Sequence, residues 1–449
     1  MSKRALLVAV VLVAVVGAGI AVAVLAGSPD DPADPADPAD PPADDLADEA
    51  DDAPDDDDDP SAVDPDEDEP DAADERSDDG PPPEPQPETE ILAEGFDDPW
   101  GLAFVPGTEL LLITEARGDL ALVDTATSEV VRLTGVPQVD ASGQGGLLDV
   151  AVDPDFPDSD WVYLTYSASE GAGTSTHLAR ARLDLDADGL EASRLHDLEV
   201  LFVAEPPVAS NVHYGSRVVV APDGRLLVTV GDRGNKDFDE HPSQDPSNTI
   251  GTTVRLEPDG SIPDDNPFLD DVDLADSIYA YGLRNTQGLV RHPETDALWA
   301  SEHGERDGDS ITIIERGGNH GWPIAHYGCE YGTDDPVGDQ PDERDDVVDP
   351  VYYWECGSGG FPPAGMTIYD GDAFPDWAGD LFVGNLAGTY LGHFTIDDPA
   401  ADRPVVEEVD PLLEAEGWRV RDVAIGPDDG ALYVALDETN APLVRVVPP

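Results

Sequence analysis

SRVVVAPDGRLLVTVGD, residues 216–232, reads as an apolar strand, a Pro-Asp-Gly turn and a second apolar strand. Apolar runs on both sides of such a turn are a hairpin signal. The unit recurs as WGLAFVPGTELLLITE from Trp100, GLLDVAVDPDFPDSDWVYLTYS from Gly146 and GLVRHPETDALWASEHG from Gly288. Two further copies are GMTIYDGDAFPDWAGDLFVGN from Gly365 and VRDVAIGPDDGALYVALDE from Val420. The turn positions Pro106, Pro154, Pro222, Pro293, Asp370 and Pro427 stand 48, 68, 71, 77 and 57 residues apart. Spacing on the order of 40–50 residues or more per four-stranded unit indicates a propeller rather than a sandwich or solenoid. Six copies predict an all-β, six-bladed propeller over residues 89–449. The segments Glu90-Ile91-Leu92 and Leu443-Val444-Arg445-Val446 are expected to pair and close the ring, which removes two exposed edges. The architecture hosts enzymes, lectins and docking platforms, so it does not choose a function.

The formal charge is −77, and it is not confined to one tail: residues 91–449 hold 70 acidic and 19 basic residues. Nothing in such a chain neutralises phosphates over a continuous surface, which argues against nucleic acid as a partner. The charge self-repels in dilute buffer, whereas molar salt shortens the screening length to about 3 Å. A halophilic source is the simplest explanation. The chain opens MSKR, followed by an unbroken apolar run over residues 5–26. That run is long enough to span a bilayer, follows two positive charges and ends in small residues, so residues 1–27 read as a cleaved signal or a retained membrane anchor. Either places the bulk of the protein outside the cytoplasm. Residues 28–88 are Asp/Pro/Ala repeats with almost no apolar side chains and are expected to be a disordered tether. Cys329 and Cys356 are the two cysteines, and in an exported protein they are expected to form a disulfide.

Polar groups concentrate in residues 281–322, where Arg284, Asn285 and Gln287 precede one strand and Ser301-Glu302-His303-Gly304-Glu305 and Asn319-His320-Gly321-Trp322 form loops. Loops on a rigid β scaffold commonly carry a binding site. Gly143-Gln144-Gly145-Gly146-Leu147-Leu148-Asp149, His213-Tyr214-Gly215-Ser216-Arg217 and Gly231-Asp232-Arg233-Gly234 add to them. So do Gln244-Asp245-x-Ser247-Asn248, Gly282-x-Arg284-Asn285-x-Gln287-Gly288 and Asn319-x-Gly321-Trp322-Pro323. Any one of these motifs is weak. Their ordered set, from about Pro99 to Glu438, resembles the glucose/sorbosone dehydrogenase family, which includes enzymes dependent on pyrroloquinoline quinone (PQQ).

The resemblance implies an exported PQQ- and Ca²⁺-dependent dehydrogenase that oxidises an aldose at C1 to its lactone. It implies that His213 is the base, with Asp232 as its orienter. Removing a sugar O–H proton as hydride leaves carbon needs a base near neutral pH, which suits His. PQQ carries three carboxylates, and Arg binds planar carboxylates in a bidentate manner. Arg419-Val420-Arg421 is strand-like and puts both guanidiniums on one face. The family pattern implies that this pair grips PQQ, that Arg284 and Asn285 lie near the quinone oxygens, and that Gln144 and Gln287 are further polar contacts. Trp322 and Trp354 either stack on cofactor or sugar rings or pack in the core or rim. His303 and His320 are read as structural. Ca²⁺ would polarise the quinone carbonyl. Its main-chain carbonyl ligands, a Gly-Pro pair in the family, fall at Gly304-Glu305 here; a second, structural Ca²⁺ falls near Asp309.

Two departures stand out. Glu305 replaces the family's proline, and the strand-loop Leu381-Phe-Val-Gly-Asn-Leu-Ala-Gly388 lacks the lysine common there, for which Lys236 is the candidate substitute. No Cys-x-x-Cys-His haem motif occurs, so electrons leave to an external acceptor, a quinone or redox protein. The alternative is a cofactor-free propeller that binds a protein or glycan. A scaffold, however, has no need of His213, Asp232, Arg284, Asn285, Gln287, Arg419 and Arg421 together. Sugar specificity is expected in the loops over residues 237–245 and 333–348.

Overall fold

The computed structural model describes residues 86–186, 189–234 and 241–449. The export element, all but the last residues of the acidic tether, and Lys236 lie outside the described residues. Six four-stranded antiparallel sheets follow one another along the chain. From inside outward, blade 1 runs Pro99–Phe104, Leu110–Glu115, Asp119–Asp124 and Glu129–Arg132. Blade 2 is Leu147–Val152, Trp161–Glu170, Gly173–Asp184 and Arg194–Val203. Blade 3 is Gly215–Val220, Leu226–Val230, Thr252–Leu256 and Ile278–Tyr281. Blade 4 is Asn285–Arg291, Leu298–His303, Ser310–Ile313 and Tyr352–Tyr353. Blade 5 is Pro363–Ile368, Leu381–Asn385, Tyr390–Asp397 and Val405–Glu408.

Blade 6 takes Val420–Ile425, Leu432–Leu436 and Ala441–Val447 from the C-terminus and Glu88–Phe96 from the start of the described chain. Glu90 pairs with Arg445 and Ile91 with Val444, so the ring closes where the sequence predicts. Each innermost strand touches the innermost strands of both neighbouring blades. Six apolar clusters fill the six gaps between successive blades, the last joining Phe96, Leu111 and Ile113 to Ala431, Tyr433 and Leu443. A blade packed on both faces needs no polar side. The second strands Leu226–Val230, Leu381–Asn385 and Leu432–Leu436 are accordingly buried at every position.

A register shift interrupts the innermost strand of every blade at the same level. Bulges re-aim side chains. The residues bracketed include Gly101, Asp149, Arg217, Gln287, Gly365 and Arg421, one from each blade. Arg217 Nη1 lies 3.3 Å from Asp149 Oδ1 and 3.1 Å from Asp422 Oδ2, and its guanidinium rests 4.2 Å from the Trp100 ring centre. Gly365 leaves room for this cluster, because a Cβ there would overlap Asp422. An excursion between the last two strands of blade 4 holds a small hairpin, Ala325–Cys329 with Pro336–Gly338. Cys329 and Cys356 form the expected disulfide, with Cα atoms 5.6 Å apart.

Candidate active site

The polar loops gather where innermost strands begin and second strands end. His213 precedes Gly215–Val220, and Asp232 follows Leu226–Val230 of the same hairpin. Gly231 lets the two loops meet, since a Cβ there would overlap the His213 carbonyl. His213 Nδ1 lies 2.7 Å from Asp232 Oδ1, and both side chains are buried. The His213 backbone has φ 50°, a left-handed conformation uncommon outside glycine, held in part by its N–H donating to Gln144 Oε1 at 2.8 Å. Gly234 N–H donates to Asp232 Oδ1 at 2.8 Å and Trp322 Nε1–H donates to Oδ2 at 2.7 Å. Burial alone would raise the Asp232 carboxyl. The His213 imidazole, the Arg284 charge and the Gly234 N–H outweigh it and hold the group at about 2. An ionised Asp232 keeps a proton on Nδ1, which leaves Nε2 as the basic nitrogen of a neutral imidazole.

Blade 4 supplies the next groups. Arg284 Nη2 pairs with Glu305 Oε2 at 3.0 Å, and the guanidinium carbon lies 5.2 Å from the Trp322 ring centre. Arg284 O accepts from Asp232 N–H at 2.7 Å, so the main chains of the orienting Asp232 and of Arg284 are joined directly. Asn285 Oδ1 accepts from Gly215 N–H and from Gln287 Nε2, each at 3.2 Å. Gln287 Oε1 accepts from Arg421 Nη1 at 3.3 Å, which reaches blade 6. Arg419 and Arg421 converge on one carboxylate, Asp437, at 2.7 and 3.0 Å. Gln144, His213, Asp232, Arg284, Asn285, Gln287, Arg419 and Arg421 are therefore tied together through blades 2, 3, 4 and 6.

Trp354 does not join them. It stacks on Phe361 at 4.4 Å in the apolar cluster between blades 4 and 5, so its ring is spent on core packing. Trp322 is also fully buried, engaged by Asp232 and Arg284. Gly304 and Glu305 follow the strand Leu298–His303, and Gly304 N–H donates to Asp309 Oδ1 at 2.8 Å. The other Asp309 oxygen accepts from Phe361 N–H at 2.8 Å, so this carboxylate organises loops; burial pushes it up to about 6. Burial holds His303 at about 3 and His320 at about 4, both neutral near pH 7. His303 Nε2 bonds to the Pro363 carbonyl at 2.7 Å, a structural role.

Several contributors were not singled out from sequence. Glu302 accepts from Arg284 N–H at 2.8 Å and from the Thr286 hydroxyl at 3.3 Å, and burial pushes it up to about 7. Asp437 was findable: with Val420 opposite Leu436 in the last hairpin, Arg419 must face Asp437. The axial cluster of Asp149, Arg217 and Asp422 had no such signal, because it joins residues far apart in three blades.

Residues 96–445 match the model of a family described as glucose/sorbosone dehydrogenase. An aldose sugar dehydrogenase of Escherichia coli (strain K12) is 36% identical over 366 residues, covering 80% of this chain and 92% of that protein. Among solved structures, the apo-form soluble aldose sugar dehydrogenase of E. coli superposes with a TM-score of 0.73 at 35% identity, covering 81% of this chain and 100% of the other. The PQQ-bound form of an aldose sugar dehydrogenase from Streptomyces coelicolor gives a TM-score of 0.63 at 26% identity, with coverage of 81% and 98%.

Proposed function

This chain belongs to the glucose/sorbosone dehydrogenase family, and on that premise we propose that it is a PQQ-dependent aldose dehydrogenase acting at C1. The observation that carries the reading is the 2.7 Å His213–Asp232 pair set beside Arg284. Nε2 of His213 takes the proton of the C1 hydroxyl, and Asp232 stabilises the imidazolium that results. Arg284 supplies positive charge where the oxygen develops negative charge. When bound, PQQ supplies the two-electron acceptor for the C1 hydride, and the sugar leaves as its lactone.

The donor set suits that group. Arg284, Arg419 and Arg421 offer guanidiniums to carboxylates and quinone oxygens, with Asn285, Gln287 and Gln144 as neutral partners. Nε of Arg421 is buried and has no hydrogen-bond acceptor among the described residues. For Ca²⁺, the main-chain carbonyls of Gly304 and Glu305 are the proposed ligands, hard oxygens of the kind this cation takes. Among the described residues no cluster of three or more His, Cys, Asp or Glu side chains could hold a metal, so such a site depends on carbonyls.

We place the enzyme outside the cytoplasm on the strength of the N-terminal apolar run, as a secreted or membrane-tethered protein passing electrons to an external acceptor. No helix among the described residues is long and apolar enough to cross a membrane. One observation favours a cofactor-free binding propeller instead: Glu305 and Asp437 already pair with all three arginines. Titrating purified apo-protein with PQQ and Ca²⁺ in molar salt, then adding a dye acceptor and an aldose panel, separates the two. Saturable absorbance change with dye reduction supports the dehydrogenase. Absence of both leaves the binding module.

A further inference from the structure

We propose that Trp322 is a positioning residue of this site, one indole fixing both the His213–Asp232 pair and the Arg284 guanidinium. The inference deepens the dehydrogenase reading and rests on it for its catalytic meaning. Trp322 is 1% exposed, and its Nε1–H donates to Asp232 Oδ2 at 2.7 Å. Its ring centre lies 5.2 Å from the Arg284 guanidinium carbon, within reach of a cation–π contact.

The indole is itself held from several sides. Trp322 N–H donates to the Gly282 carbonyl at 2.8 Å, and its carbonyl accepts from Gln244 Nε2 at 2.8 Å. Gln244 and Asn319 exchange two amide hydrogen bonds of 2.9 and 2.8 Å across the same loop. His241 and His326 meet the ring edge-on at 6.1 and 5.2 Å. A ring fixed this firmly is a ruler for whatever it touches.

Two consequences follow for Asp232. With Oδ2 bound by the indole and Oδ1 by Gly234 N–H, the carboxylate cannot turn, so Oδ1 stays directed at His213 Nδ1. The indole N–H also stabilises the anion, which tempers how strongly the carboxylate holds a proton on the imidazole. Removing that donor strengthens the hold and raises the pH at which His213 becomes a competent base. The other ionisable groups acting on the pair are Arg284, Arg233, Glu302, His241 and His303, and Trp322→Phe removes none of these charges.

The test is Trp322→Phe, which keeps a ring and deletes the donor. The acid limb of kcat/KM for dye reduction is expected to move up by roughly half to one pH unit. The titration of His213 in nitrogen-15 histidine-labelled apo-protein, assigned with His213→Asn, is expected to move with it. If Trp322→Phe does not fold, benzothienylalanine at position 322 preserves the bicyclic shape without the N–H. A folded variant with an unmoved His213 titration overturns the proposal. Should the wild type reduce no dye with any aldose, the dehydrogenase reading fails, and the apo-protein titration still decides the role of Trp322.

Discussion

Arg284 and Glu305 form an ion pair sealed inside the site, Nη2 to Oε2 at 3.0 Å with side chains 4% and 1% exposed. Removing one partner of a buried pair costs about 3–5 kcal/mol when nothing replaces it. Glu305→Gln keeps an acceptor, so a loss of about 1–3 kcal/mol in denaturant unfolding is expected. The same change removes a carboxylate that competes with an anionic cofactor for Arg284. PQQ is therefore expected to bind the metal-free variant more tightly, by about tenfold, in an absorbance titration. Weaker binding would mean that Glu305 orients Arg284 rather than competing for it.

Glu302 gives a pH dependence of definite sign. Burial raises it from the ordinary 4.5 to about 7, so between those values the folded state binds a proton that the unfolded state has released. Stability from this group is therefore full below about pH 4.5 and is lost as pH rises towards 7, a change on the order of a few kcal/mol. His303 and His320, held neutral by burial, act oppositely at lower pH: they favour the unfolded state as it gains their protons. Glu302→Gln deletes only the first effect. The stability of wild type relative to Glu302→Gln is expected to fall between pH 5 and pH 8 in urea unfolding. A constant difference across that range would mean Glu302 is ionised throughout.

The fold was legible because its signal repeats. Six strand–turn–strand units and two complementary terminal strands over-determine a closed ring, and a blade buried on both faces writes itself as continuous apolar runs such as Leu226–Val230. Within the site, His213 and Asp232 were legible as the two ends of one hairpin. Trp354 was not: a tryptophan near a polar loop reads alike whether it faces a ligand or stacks on Phe361, and only packing distinguishes them. Asp149, Arg217 and Asp422 meet because three innermost strands bulge at one level, which no single segment announces.

The charge of −77 predicts a salt requirement. Exposed acids on the blades repel one another over about 10 Å at 0.1 M salt and over about 3 Å at 1 M. Dilution from 2 M to 0.1 M KCl is expected to lower the thermal midpoint by more than 10 °C, followed by far-UV circular dichroism. The His213–Asp232 pair is buried and so poorly screened. Activity per folded molecule should change far less than the folded fraction. A midpoint indifferent to salt would remove the halophilic reading.

Arg217 is, among the described residues, the one cation that pairs with both Asp149 and Asp422 on the propeller axis. Each carboxylate also accepts a main-chain N–H, Val218 to Asp149 and Leu102 to Asp422, both at 2.8 Å, so neither can turn away. Burial pushes both acids up, and Arg217 is the largest influence opposing it, with the main-chain N–H groups behind it. Arg217→Met leaves them without a counter-charge, a loss of about 3–5 kcal/mol. Protonation can relieve that loss in acid, so the penalty should be smaller at pH 5 than at pH 8. Adding Asp149→Asn and Asp422→Asn to the methionine variant should recover much of it and flatten the pH dependence, since the charge that needed Arg217 is then gone. Arg217 also donates to the carbonyls of Gln287 and Arg421, two members of the candidate cofactor set. PQQ affinity in the triple variant should therefore stay low even where urea unfolding shows stability restored. Recovery of both together would confine the axial cluster to holding the blades.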